Sequence, residues 1–104
     1  MPDTVRIVLE SRMGRLEEGA RRLLQVASVI GRRVPARLLE LICEEPKRLA
    51  ERIAACKRLE FLHEEIVEGE PVYAFKDTLV WEVARERVPL MDRQALRRTA
   101  LLAD

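Results

Sequence analysis

Residues 59–78 read LEFLHEEIVEGEPVYAFKDT, and the reading of this stretch decides the fold. Up to Leu62 the apolar residues continue a helical spacing. Beyond it, Ile66-Val67 and Val72-Tyr73-Ala74-Phe75 are short runs of β-branched and aromatic residues, which favour strands. Between them Glu68-Gly69-Glu70-Pro71 is a turn segment, rich in residues that leave regular structure. The two runs therefore make one hairpin. Pro71 has no N–H to donate to a ladder, so it belongs at the turn or on an edge. Asp77 and Thr78 then supply side-chain oxygens that can cap a following helix.

Upstream of the hairpin the period is 3.6. A helix is predicted from Pro46 to about Leu62, with Leu49, Ile53, Cys56 and Leu59 on its inner stripe and Ala50 and Ala54 allowing close approach. A short helix, about Ala36 to Glu44, precedes it and buries Leu38, Leu39, Leu41 and Ile42; Pro35 suits its first position. Before that, Glu17 to Ile30 carries Ala20, Leu23, Leu24, Ala27 and Ile30 on one face, with Gly31 as its stop. Thr4 to Met13 aligns Val5, Val8, Leu9 and Met13. Downstream, the helix capped at Asp77 turns Leu79, Val80, Val83 and Ala84 inward, with Trp81 partly buried, and ends at Pro89. A last helix, about Met91 to Ala103, turns Leu96, Ala100 and Leu101 inward and Arg93, Arg97 and Arg98 outward.

Three helices running directly into a hairpin is the pattern of a winged helix-turn-helix. The expected fold is mainly α: a three-helix core with a β-hairpin wing, plus flanking N- and C-terminal helices. The 104 residues suffice for one domain and one core. The predicted start and end inside helices give the chain the look of a piece of a longer multidomain protein.

The charge balance sets limits on partners. Nineteen basic residues face eighteen acidic ones, a net charge of +1, so no global field draws the chain to nucleic acid or acidic membranes. Residues 1–15 hold Arg6, Arg12 and Arg15 in an amphipathic pattern without the apolar run of a signal peptide. The longest uncharged apolar-rich run, Leu23 to Gly31, is too short to span a bilayer. The domain is read as cytoplasmic.

Catalysis requires convergent groups, and none can be assembled from this sequence. The lone histidine, His63, reads as a helix-end cap beside Glu64 and Glu65. Ser11 and Ser28 have no base arranged near them. The glycines form no phosphate loop. Cys43 and Cys56 stand on separate predicted helices as free thiols, without the spacing of a zinc site. No catalytic residue, metal site or cofactor is assigned to this domain, and it is read as non-enzymatic.

DNA is the natural partner to test. Lys47, Arg48, Arg52, Lys57 and Arg58 give the fourth helix a local basic excess suited to phosphate contacts. The hairpin opposes it, since Glu64, Glu65, Glu68 and Glu70 crowd the wing with no Lys or Arg from His63 to Phe75. That helix also lacks Asn, Gln, Ser and Thr to read base edges. Specific DNA binding is therefore not expected, although a freestanding DNA-binding regulator stays open as an alternative. A second alternative is an interaction module that forms a homodimer through its terminal helices.

Five stretches resemble the winged-helix segment of STAND-type signalling ATPases, the bacterial group fused to nucleotide cyclases or related to LuxR-type regulators. They are Ser11-Arg12-Met13-Gly14-Arg15-Leu16, Leu24-Gln25-Val26-Ala27-Ser28-Val29-Ile30-Gly31, Leu59-Glu60-Phe61-Leu62, Tyr73-Ala74-Phe75-Lys76-Asp77-Thr78-Leu79-Val80-Trp81-Glu82 and Arg93-Gln94-Ala95-Leu96-Arg97-Arg98. The resemblance runs from Val5 to about Leu102. It implies a module between an ATPase core and a C-terminal sensor that relays nucleotide state, with the adjacent domains of the parent ATPase as its partners. It also implies that Lys76 and Asp77 face the nucleotide. Asp77 occupies the position of the family's phosphate-facing histidine, and an aspartate there repels phosphate unless Mg²⁺ or Lys76 intervenes; the favoured reading of Asp77 is a cap of the fifth helix. Arg85 replaces an aromatic of the family pattern.

Overall fold

A computed structural model describes residues 3–43 and 45–103. The chain is mainly helical with a small three-stranded antiparallel sheet. In order, the elements are α1 (Asp3–Met13), α2 (Glu18–Ile30), β1 (Arg33–Pro35), α3 (Ala36–Ile42), a single 3-10 turn (Pro46–Arg48), α4 (Leu49–Arg58), β2 (Leu62–Val67), β3 (Glu70–Phe75), α5 (Thr78–Glu86) and α6 (Leu90–Ala103).

α2 is the central helix. Its apolar residues at 20, 23, 24 and 27 form a buried stripe, and Glu18 sits favourably in its first turn. α4, α5 and α6 pack around it, α1 packs on α5, and α6 also contacts α3. Two ion pairs, Arg6 to Glu86 and Arg87 to Glu10, fasten α1 to the end of α5. Phe61, Leu24, Leu39, Val34, Val83, Val88 and Cys56 are the largest apolar side chains fully withdrawn from water.

The expected order needs one addition. α4 runs directly into the hairpin, but β1 stands between α2 and α3 and joins the sheet in the order β1-β3-β2. Arg33, Val34 and Pro35 pair with Ala74, Tyr73 and Val72, and the Phe75 N–H donates to the Arg32 carbonyl at 3.0 Å. Pro71 pairs with Ile66 beyond the reach of β1, where its missing N–H leaves no neighbouring strand unserved. Glu68 and Gly69, both at positive φ, form the two-residue turn. A primed turn of this kind matches the twist of paired strands.

The fourth helix is shorter than predicted. α4 stops at Arg58, where the Phe61 N–H bonds to the Cys56 carbonyl at 2.9 Å and the Glu60 N–H to the Lys57 carbonyl at 3.0 Å. This pair of bonds is a Schellman closure, with Glu60 at φ 62° in the position that favours glycine. Leu62 and His63 consequently lie in β2, so His63 is a strand residue and not a helix cap. α3 ends at Ile42, and the predicted end at Glu44 lies outside the described residues. Two side chains assigned to the interior are in water: Leu41 is 62% and Leu101 79% exposed. α3 makes less than two turns inside the core, and Leu41 follows Leu38 and Leu39 on its opposite side.

Candidate functional site

The basic residues that the sequence offered as a DNA surface are divided between the 3-10 turn, which holds Lys47 and Arg48, and α4, which holds Arg52, Lys57 and Arg58. Arg52 lies across α2. Its Nε donates to Glu17 Oε1 at 2.9 Å and its Nη2 to Glu45 Oε1 at 3.0 Å. Gly19 makes this possible, since a Cβ there would fall 2.1 Å from the guanidinium carbon. The Arg52 side chain is only 14% exposed, and the two carboxylates raise its pKa further above the ordinary arginine value. Arg48 lies 3.8 Å from Glu45 and 4.0 Å from Glu17, so the same two acids draw on both arginines. Lys57 is 3.6 Å from Glu64 of β2. Of the five basic residues, only Lys47 and Arg58 make no ion pair with another described residue.

The carboxylates of the hairpin are largely matched from within. Glu65 accepts from Arg33 at 3.0 Å and shares a 3.0 Å hydrogen bond with His63 Nε2. The His63 bond first, and Arg33 next, hold the Glu65 carboxyl below its usual pKa. Glu70 lies 3.8 Å from Arg37. Glu68 stands at the tip of the turn. Burial, then Glu64 and Glu40, raise the pKa of the Tyr73 hydroxyl.

Lys76 and Asp77 sit together at the exposed junction of β3 and α5. The Asp77 carboxylate accepts the Val80 N–H at 2.9 Å and caps α5. That engagement with the positive end of a helix is a complete structural role for the residue.

A cleft of about 420 Å³ opens beside Arg52, between α2, α3, α4 and α6. Its apolar wall includes Leu23, Val26, Leu39, Ile42 and Leu96, and Glu17, Glu45 and Arg52 stand among its polar residues. The free thiols differ: Cys43 is half-buried after α3, while Cys56 is fully buried and its pKa is pushed up to about 12. Among the described residues, no three His, Cys, Asp or Glu side chains gather as a metal site, and no helix is long and apolar enough to cross a membrane.

Sequence reasoning located the basic residues of α4 but missed the acids that hold them. Glu45 to Arg48 is an i,i+3 pair and legible as such. Glu17 and Arg52 are 35 residues apart, and no local pattern announces their meeting.

The site thus belongs to a small helical domain with an antiparallel sheet and an internally paired basic helix. No protein-family model, curated protein or solved structure matches the chain.

Proposed function

We propose that this chain is a winged-helix module without catalysis of its own, which relays nucleotide state between an ATPase core and a sensor or effector region of a signalling protein. The element order supports the winged-helix part of this reading. α3 and α4 correspond to the helix-turn-helix pair, β2 and β3 to the wing, and β1 to the short strand that ties the pair to the wing.

The observation that carries the relay over DNA binding is the pairing of Arg48 and Arg52 with Glu17 and Glu45. A recognition helix needs cations free to meet phosphates. Here two arginines face acids of the same chain, Lys57 is near Glu64, and the helix offers no amide or hydroxyl side chain for base edges. The terminal helices add support for contact with other domains. Val5 and Val8 of α1, and Leu90 and Met91 of α6, are exposed, whereas Leu9 is buried and Trp81 half-buried. Val5 and Val8 are one turn apart on α1 and Leu90 and Met91 are adjacent on α6, and an exposed apolar patch favours a covering partner. Asp77 being occupied as a cap, Lys76 is the residue at that junction suited to a phosphate.

Two measurements test the reading. In the polypeptide that carries this chain, hydrogen exchange over residues 47–58 and 76–86 should differ between ADP-bound and ATP-analogue-bound states. Identical profiles, or a polypeptide without a nucleotide-binding core, would overturn the relay. Duplex titrations near physiological salt should give only weak, sequence-independent binding. Sub-micromolar affinity that discriminates between duplexes would instead establish the DNA-binding regulator.

A further inference from the structure

Trp81 is the only tryptophan of the chain, and its ring is fixed in place. The indole N–H donates to the Ser28 carbonyl at 2.8 Å, which holds the ring against the C-terminal part of α2. Two guanidinium groups lie on this ring, Arg32 at 4.8 Å and Arg85 at 5.5 Å from its centroid. Both are within cation–π range. The two positive charges are thereby kept within about 10 Å of each other, where they repel.

Neither guanidinium makes an ion pair with a described carboxylate. Arg6, Arg33, Arg48, Arg52 and Arg87, by contrast, each have at least one. Glu82, three residues before Arg85, does not pair with it, and Glu86 is bonded to Arg6. Arg85 Nε is also buried without a hydrogen-bond acceptor. An orphaned buried donor is uncommon in folded proteins because its desolvation is not repaid. The ring faces and the negative end of α2 offset part of the repulsion, but neither fork makes a hydrogen bond to a described oxygen.

We propose that Arg32, Trp81 and Arg85 form an oxyanion site for the phosphate oxygens of a small polyphosphate. Guanidinium forks bind phosphate oxygens in pairs, with charge-assisted hydrogen bonds. A diphosphate carries oxygens on two centres and can engage both forks at once. Arg32 is exposed and gives the ligand access, and Arg85 stands half-buried on the same ring. The site stands on this geometry and does not depend on the relay role.

Trp81 reports on its own site. Sodium pyrophosphate titrated into the intact chain, at constant ionic strength and without divalent cations, should change tryptophan emission saturably, with half-saturation in the low-millimolar range, about the affinity of a few exposed charge-assisted bonds. R32Q and R85Q should each weaken binding about tenfold, the value of one such bond. Because Arg32 is exposed, R32Q retains the fold and decides the matter even if R85Q does not fold by circular dichroism. The proposal is overturned if no saturable change occurs, if sodium chloride at the same ionic strength reproduces it, or if R32Q binds as tightly as the unaltered chain.

Discussion

Replacing Glu17 and Glu45 together by glutamine (E17Q/E45Q) isolates what internal pairing does to α4. Glu17 and Glu45 hold Arg52 at 2.9 and 3.0 Å and lie 4.0 and 3.8 Å from Arg48. Glutamine keeps the size of each side chain and an acceptor oxygen but deletes both charges, so Arg48 and Arg52 become available to external phosphates. In the unaltered chain Lys47 and Arg58 are the cations of the predicted set without an internal ion-pair partner. Each phosphate neutralised contributes about −0.9 to the slope of log affinity against log salt. Two contacts give a slope of about −1.8, and four give about −3.6. Between 50 and 200 mM salt, binding should then fall about 12-fold for the unaltered chain and about 150-fold for the variant. Fluorescence anisotropy with a labelled duplex of arbitrary sequence, repeated across salt concentrations, measures both slopes. Both glutamates are more than half exposed, so the fold should survive, and circular dichroism checks it. Equal slopes from two folded proteins would refute the reasoning: the internal ion pairs would not be what withholds α4 from phosphate.

Ile53 is buried in one cluster with Leu24 and Leu39, so Ile53→Ala should cost about 2–5 kcal/mol in urea melts; a loss under about 1 kcal/mol would contradict the packing. Glu60→Gly should stabilise the chain by about 0.5–1 kcal/mol, because glycine relieves the left-handed backbone at φ 62° at a smaller entropic cost, whereas Glu60→Ala should bring no such gain. With a thiol reagent at pH 8, Cys43 should react in the native protein and Cys56, buried and with its pKa near 12, only on unfolding; two equally fast thiols would show that α4 does not protect its inner face. The depressed Glu65 carboxyl adds stability above the ordinary carboxylate range, and that contribution fades as pH falls through its folded pKa. Melting temperatures of E65Q should therefore lie below those of the unaltered chain at neutral pH and converge with them in acid; a constant gap would disprove the linkage.

Local chemistry alone made much of this protein legible. The 3.6-residue spacing of Ala20, Leu23, Leu24 and Ala27 specifies α2, and the change to β-branched and aromatic runs after Leu62 specifies the hairpin, because both periods are properties of consecutive residues. The Asp77 cap is local for the same reason, since its acceptor and donor are three residues apart. The nature of the five basic side chains was readable as well, but their availability was not. Only tertiary structure decided the rest. β1 is three residues long, too short to show a period, and exists because β3 presents a free edge beside Arg33–Pro35. The apolar run Leu59 to Leu62 fits either a longer helix or the observed closure, and the left-handed Glu60 chooses between them by letting Phe61 enter the core. Leu41 and Leu101 lie in water because burial depends on which element arrives from elsewhere in the chain. Arg52 meets Glu17, and Arg32 and Arg85 meet on Trp81, for the same reason. Electrostatic contact requires proximity in space, and for residues 35 to 53 positions apart only the packing of helices supplies it.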